Sequence, residues 1–408
     1  MKTKSSLLLL LPICLMLQVL PVSPLTGQSR FPVTLDEAMA IARRNYPELR
    51  RDQKALEQLQ ALRGTARPNN PTQLFFAGGM VDPSNLSTGL HSAGFFKAFD
   101  WPGATQLREQ ALEEAMLLGN AQLELTDWEL RQEVARAYYQ LVFTKSLQLH
   151  YQEKQELTSR LVEYALARYE FGETGKIPVL SANSKQKQAS LEQQEAQKAY
   201  DLAHTIFNNY LHSDSVFYAL LDSLPLPSPT PNWYVNGGHP QLLKKQQEVR
   251  LAEAQIERER SQLMPKILAG TQLQMINETV PFVGYQLGLS VPISPKAIQS
   301  RIEGAEKAVA VREAELDATE RALENRRREL TTLLLSQKKL LEYTQKEMLP
   351  LANEQIQSAE AAYKSGAVGY HDYLVNLEQG LQTKLEWIHN LSTYHQLRLQ
   401  LEFLSGRQ

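Results

Sequence analysis

The chain has 408 residues, with 43 Lys and Arg against 45 Asp and Glu, a formal net charge of −2 and one cysteine. That near-balance excludes the basic surface on which nucleic-acid affinity rests. A single cysteine, Cys14, admits no intramolecular disulfide, and a chain that loses it carries no thiolate metal site or cysteine nucleophile.

The N-terminus reads Met1-Lys2-Thr3-Lys4 and then runs apolar from Leu7 to Leu20, broken only by Pro12 and Gln18. A short basic start, an apolar stretch and small residues near Thr26-Gly27 form the pattern of a secretory signal over residues 1–27. A membrane anchor is the competing reading, opposed by Pro12, Pro21 and Pro24. Cys14 follows Ile13 inside the apolar run, so lipid attachment is not expected. Removal of the signal moves the formal charge to about −4. No later stretch approaches about 18 uninterrupted apolar residues, so any further membrane crossing falls to strands.

A first repeat is expected over residues 28–212. Thr34 followed by Glu37 forms a capping box, and the helix it opens is expected to run to Pro68 and Pro71. Strands are expected at Gln73 to Met80 and His91 to Phe99. They are rich in aromatics, with Lys97 unplaced, and Asp82, Pro83, Ser84 and Asn85 form the turn between them. From Ala104 to Tyr169 there is no proline and glycine occurs only at Gly119, so one helix of about 100 Å is expected. Gly172 and Gly175 then permit reversal into a second long helix. Residues 213–238, with Pro225, Pro227, Pro229 and Pro231, read as a connector.

The second repeat, 239–408, is a copy of the first. Glu153, Ala165, Ala167, Tyr169, Gly172, Gly175, Leu180, Leu191 and Tyr200 recur without gaps as Glu347, Ala359, Ala361, Tyr363, Gly366, Gly369, Leu374, Leu385 and Tyr394. A duplication of that length is a half-molecule repeat and not a solenoid. A helix from Pro240 to Met264 is stopped by Pro265. Ile267 to Met275 and Tyr285 to Val291 alternate between apolar and small or polar residues, with Asn277, Glu278 and Pro281 in the turn. Tyr285, Leu287, Leu289 and Val291 would form one lipid-facing row. Segments of this length with one apolar face match both an ordinary two-sided sheet and a transmembrane barrel, and four strands are too few to close a barrel alone. Leu316, Leu323 and Leu330, then Leu334, Leu341 and Met348, keep coiled-coil spacing along a long helix with Pro350 as its expected kink. Gly366 and Gly369 mark the second turn.

Three motifs in this order resemble the TolC-like outer-membrane efflux family. They are Leu35-Asp36-Glu37-Ala38 followed by Asn45-Tyr46-Pro47-Glu48-Leu49, the junction Phe99-Asp100-Trp101-Pro102-Gly103, and the tip Ala167-Arg168-Tyr169 through Gly172 to Val179-Leu180 with its copy at Ala362-Tyr363 through Gly366 to Leu374. The likeness covers the mature chain and is greatest to the heavy-metal cation efflux branch. It implies a mainly α fold with a small transmembrane β part. The duplicated helix–strand–strand–long-helix-hairpin unit would form, as a homotrimer, a twelve-stranded β-barrel continued by an α-helical coiled-coil tunnel. The implied function is an outer-membrane exit duct of a tripartite pump in a Gram-negative bacterium, with a long periplasmic portion. Its implied partners are outer-membrane lipid, a periplasmic membrane-fusion adaptor protein and an inner-membrane transporter that exports heavy-metal cations or drugs. A duct for type I protein or peptide secretion, and a periplasmic coiled-coil adaptor, are the alternatives.

The resemblance also points to site residues. Asp372 stands where the family lines the pore entrance with an aspartate, and three copies would form a carboxylate ring. A helix N-cap role for Asp372 is the alternative. Tyr363 matches a gating tyrosine or packs between helices. Val368 and Val375 depart from the family's charged pattern. Tyr169, Gly172, Gly175, Gly366 and Gly369 mark the tips that would dock the adaptor. No catalytic constellation, phosphate loop or metal-ligand spacing is present: His204 with His212, and His389 with His395, do not share a helix face at ligand distance. No enzyme activity, cofactor or resident metal is therefore expected.

Overall fold

The computed structural model describes residues 30–67, 70–80, 89–226, 238–276 and 281–406. The expected signal with Cys14, Pro68, the turn residues from Asp82 to Asn85, Asn277 with Glu278, and the connector prolines Pro227, Pro229 and Pro231 lie outside the described residues.

Strand β1 (Arg30–Val33) leads into α1 (Leu35–Asn45). The capping box forms as expected: Glu37 N donates to Thr34 Oγ1 at 3.3 Å and Thr34 N to Glu37 Oε2 at 2.8 Å. The helix expected to continue to the later prolines breaks at Tyr46. A residue before proline is pushed out of the α region, and Tyr46 has ψ 120. Pro47 then starts α2 (Pro47–Ala61), which ends earlier than expected in a 3-10 turn, Leu62–Ala66.

The chain then forms β2 (Gln73–Met80), β3 (Gly89–Asp100), the 69-residue α3 (Pro102–Glu170) and α4 (Lys176–Leu211). At 1.5 Å per residue α3 is about 100 Å long. Gly119, the one interior glycine of α3 beyond its first turn, lets α2 approach: a Cβ there would sit 3.3 Å from the Cδ1 atoms of Leu56 and Leu59. Within the expected connector, β4 (Val216–Ala219) pairs parallel with β1, Arg30 opposite Val216. These two short strands were not foreseen. Their four-residue length gives too little periodicity to read.

The second copy follows the same plan with α5 (Pro240–Arg260), β5 (Lys266–Ile276), β6 (Phe282–Ser290), α6 (Lys296–Tyr343), α7 (Leu349–Lys364) and α8 (Tyr370–Leu404). Where α3 is continuous, its counterpart is interrupted by a π turn, Thr344–Met348, just before Pro350. Proline lacks the N–H that would bond four residues back, and its ring crowds that turn, so a wider turn accommodates it. The extra residue also rotates the helix. Leu323, Leu330, Leu334 and Leu341 are buried as the heptads require, but Met348 turns outward and Ala352, Ile356 and Tyr363 take the buried seam.

One apolar core joins α3, α4, α6 and α8 through Tyr138, Leu141, Phe207, Leu330, Leu334 and Tyr394. A second lies near the helix turns, around Leu161, Ile356, Tyr363, Tyr373 and Leu377. Each fully buried Leu or Phe in these cores contributes about 1.5–3 kcal/mol of burial. At the opposite end of the long helices, four strands form an antiparallel sheet in the order β2-β3-β5-β6. No described helix is long and apolar enough to cross a membrane.

Candidate functional site

The sheet register sorts its side chains onto two faces. Leu74 opposes Phe95, Phe95 opposes Thr271 and Thr271 opposes Tyr285. Two rows further, Phe99, Ile267 and Leu289 align, and in the row between them Ala269 lies between Lys97 and Leu287. This face is mainly apolar, with apolar side chains from all four strands, and open, with Leu74 82% and Tyr285 85% exposed. Tyr285, Leu287 and Leu289 thus share a face as expected. Val291 lies one residue past the end of β6, so it extends the row without belonging to the ladder.

The opposite face carries Ser92, Gln272, Gln274 and Gln286, but also Phe75 and Phe96, whose rings lie 6.1 Å apart. That pair is why the first two strands alternate less cleanly in sequence. Lys97 falls on the apolar face between Phe95 and Phe99. On the opposite face, a Cβ at Gly94 would lie 2.5 Å from Thr271 O, and one at Gly270 would lie 2.4 Å from Phe95 O. Glycine at these two positions lets β3 and β5 approach closely on that side. β2 and β6 are the sheet's edges, and neither has a second partner strand among the described residues.

At the far end, both hairpins turn in the same way. Glu173 N donates to Arg168 O and Gly172 N to Tyr169 O; in the copy, Ala367 N donates to Ala362 O and Gly366 N to Tyr363 O. This is the Schellman pattern, with glycine in the left-handed region at φ 75 and φ 79. Gly175 and Gly369 instead have ordinary φ values of −79 and −76 and cap the following helices. The reversal therefore requires two of the four expected glycines.

Asp372 is exposed in the first turn of α8, where a carboxylate complements the helix dipole. The cap itself is Gly369, not Asp372. Tyr363 is 1% exposed and stacks on Tyr373 at 4.9 Å, with the Arg168 guanidinium 5.1 Å from its ring centroid. Its counterpart Tyr169 is 44% exposed. The tips differ in chemistry as well: Phe171 and Ile177 are exposed where the copy has Ser365 and His371.

Sequence reasoning missed the contacts that hold one hairpin against the other. Lys384 Nζ donates to Glu153 Oε1 at 2.7 Å, Lys185 Nζ to Glu378 Oε1 at 2.5 Å, and Arg160 Nε lies 2.8 Å from Glu360 Oε1. Tyr164 Oη donates to Glu360 at 3.3 Å and Tyr370 Oη to Ser181 Oγ at 2.9 Å. Arg168 Nη1 reaches Val368 O at 3.2 Å while its Nε bonds Glu173. No partner pair sits at equivalent positions of the two copies, so the repeat carried no signal for them. The Tyr373 hydroxyl is buried here without a hydrogen-bond partner, and burial raises its pKa. Gly380 brings α8 against α7: a Cβ there would lie 2.5 Å from Ile356 Cγ1. Further along the seam, burial pushes the His150 imidazole down to about 4. Among the described residues, no group of three His, Cys, Asp or Glu side chains is arranged to hold a metal ion.

Residues 236–407 match the family described as outer membrane efflux protein. No curated protein matches the chain in sequence. Among solved structures, CusC, whose description concerns transmembrane channel formation, is similar at TM-score 0.74 and 15% identity, over 95% of this chain and 96% of that one. The outer membrane protein VceC of Vibrio cholerae is similar at TM-score 0.71 and 16% identity, over 91% and 96%. The CmeC outer membrane channel of Campylobacter jejuni gives TM-score 0.71 and 12% identity, over 91% and 85%. The chain thus has the fold of these three proteins over nearly its whole length.

Proposed function

We propose that this chain is the outer-membrane exit duct of a tripartite efflux system, a passive conduit from the periplasm of a Gram-negative bacterium to the exterior. The observation that carries the reading is the four-stranded sheet. It has one mainly apolar face interrupted by Lys97, an opposite face with polar amides and glycines, and two open edges at the end of helices of which α3 is about 100 Å long. In lipid, open edges are not tolerated, because no water is present to satisfy their N–H and C=O groups. Three copies joined edge to edge, β6 of one to β2 of the next, would close a twelve-stranded barrel with Leu74, Phe95, Tyr285 and Leu287 outward. The two repeats, 28–212 and 239–408, would then contribute six near-equivalent hairpins to a tunnel wall.

In this reading the hairpin tips face an inner-membrane pump and its adaptor. The exposed Phe171 and Ile177 give the first tip the larger apolar surface for docking. Three Asp372 carboxylates would make a ring that favours cations. Tyr363, buried and stacked, would hold the tip's shape from behind that ring. The resemblance to the heavy-metal branch favours metal cations over drugs as cargo.

Fractionation followed by reconstitution tests this reading. The protein is expected in the outer-membrane fraction, extracted only by detergent, and conducting in planar bilayers. Asp372→Asn is expected to lower cation over anion permeability. A protein found as a soluble periplasmic monomer would contradict the duct.

A further inference from the structure

Beside the π turn, where α6 gives way to α7, a cavity of about 470 Å³ opens between α3 and α8. Leu349, the first residue of α7, forms part of its wall together with Leu149, Trp387, Ile388 and Leu391. A volume of that order, with a mainly apolar lining and a few polar groups, is what small-molecule sites have. π turns are rare and recur at functional sites. One polar group in the wall lacks a partner. His150 is 5% exposed, yet among the described residues neither of its ring nitrogens has a hydrogen-bond partner, and its ring meets only the edge of Tyr151, at 5.2 Å. Buried polar groups are nearly always bonded, so an imidazole left open at a cavity wall offers a place for a ligand atom. Burial keeps it neutral near pH 7, with one nitrogen an acceptor and the other a donor. The remaining wall groups are already engaged. Lys384 and Glu153 pair with each other at 2.7 Å, and Ser146 Oγ donates to Val142 O at 3.0 Å.

We propose that this cavity binds a neutral aromatic molecule of the phenol type, its ring against Trp387 and its hydroxyl donating to the open nitrogen of His150. The wall selects that chemistry. Leucines beside an indole favour an apolar ring that can stack. A neutral imidazole accepts from a hydroxyl, and a buried acceptor gains most from a donor that water cannot supply there. The Lys384–Glu153 pair leaves no net charge for an ion to match: an anion would have to displace Glu153, and a cation would meet Lys384. All the lining residues come from one chain, so the site stands whether or not the sheet spans a membrane.

The test is equilibrium dialysis of full-length protein, purified in mild detergent, against radiolabelled 2-naphthol at about pH 7, where phenols are neutral. Protein-free micelles serve as the blank. Saturable binding of one molecule per chain is expected. Naphthalene, the same ring system without the hydroxyl, should bind roughly tenfold more weakly, the scale of one hydrogen bond to a buried group. His150→Phe keeps the bulk of the ring and removes the acceptor. It should weaken 2-naphthol binding by the same factor and leave naphthalene binding unchanged. Unaltered 2-naphthol binding by His150→Phe would overturn the proposal. The comparison on wild type guards against a variant that does not fold: equal affinity for the two compounds, or uptake that never saturates and follows the micelle blank, would overturn it as well.

Discussion

Lys384 Nζ lies 2.7 Å from Glu153 Oε1, joining α8 to α3 across 231 positions of sequence. Together with Lys185–Glu378 and Arg160–Glu360 it lines the seam between the two hairpins with ion pairs. Glu153 is 43% exposed, and solvent-exposed pairs contribute only about 0.2–1 kcal/mol each. The apolar core around Leu161, Ile356 and Tyr373 therefore holds the seam, and the ion pairs set its register. A double-mutant cycle of Lys384→Met and Glu153→Gln should give a coupling of about 0.2–1 kcal/mol, read from thermal unfolding. A coupling several times larger would mean that the pair, and not the core, holds the hairpins together.

Tyr363 and Tyr373 make opposite predictions although their rings stack. Tyr363→Ala removes a buried ring and should cost about 3–5 kcal/mol. Tyr373→Phe removes a hydroxyl that has no partner, so it should be neutral or stabilising by about 1 kcal/mol. A clear loss of thermal stability in Tyr373→Phe would show that the hydroxyl is satisfied in the folded protein.

The four turn glycines should separate into two pairs. Gly172→Ala and Gly366→Ala place a Cβ in the left-handed region and should cost about 1–2 kcal/mol each. Gly175→Ser and Gly369→Ser occupy ordinary extended N-caps, where a hydroxyl can accept from the first turn, and should be neutral or stabilising. Equal losses at all four positions, measured by thermal unfolding, would contradict the turn geometry.

His150 should make the protein acid-sensitive. Burial lowers its folded pKa from 6.5 to about 4, so between those values the unfolded chain binds the proton that the folded chain refuses. Its contribution is intact above pH 6.5 and is lost as pH falls toward 4, by at most about 3 kcal/mol. Buried His395, also shifted down by burial, acts in the same direction. The melting temperature of His150→Phe should fall less than that of wild type between pH 7 and about 4.5. Parallel curves would remove His150 from the acid response.

Much of this architecture was legible because it rests on periodicity and on residues with special backbone needs. The alternation through Ile267, Ala269, Thr271 and Leu273 placed a strand, the Thr34–Glu37 spacing placed a helix start, and the copied glycines placed both turns. What was missed depends on tertiary proximity. The break at Tyr46 could have been read from Pro47. The π turn before Pro350 could not, since a kink and a widened turn relieve the same clash. Lys384 meets Glu153, and Ile356 meets Gly380, through a hairpin packing that no local pattern encodes. The register also explained Lys97, which alternation had left unplaced because Phe96 is a large apolar residue on the opposite face.

The central claim is that the open edges of β2 and β6 are closed by other copies of the same chain. Native mass spectrometry of the protein extracted from the outer membrane in mild detergent measures this directly. A species of three times the mass of the mature chain is predicted, stable until heated. A monomer retaining its native fold under the same conditions would contradict the barrel.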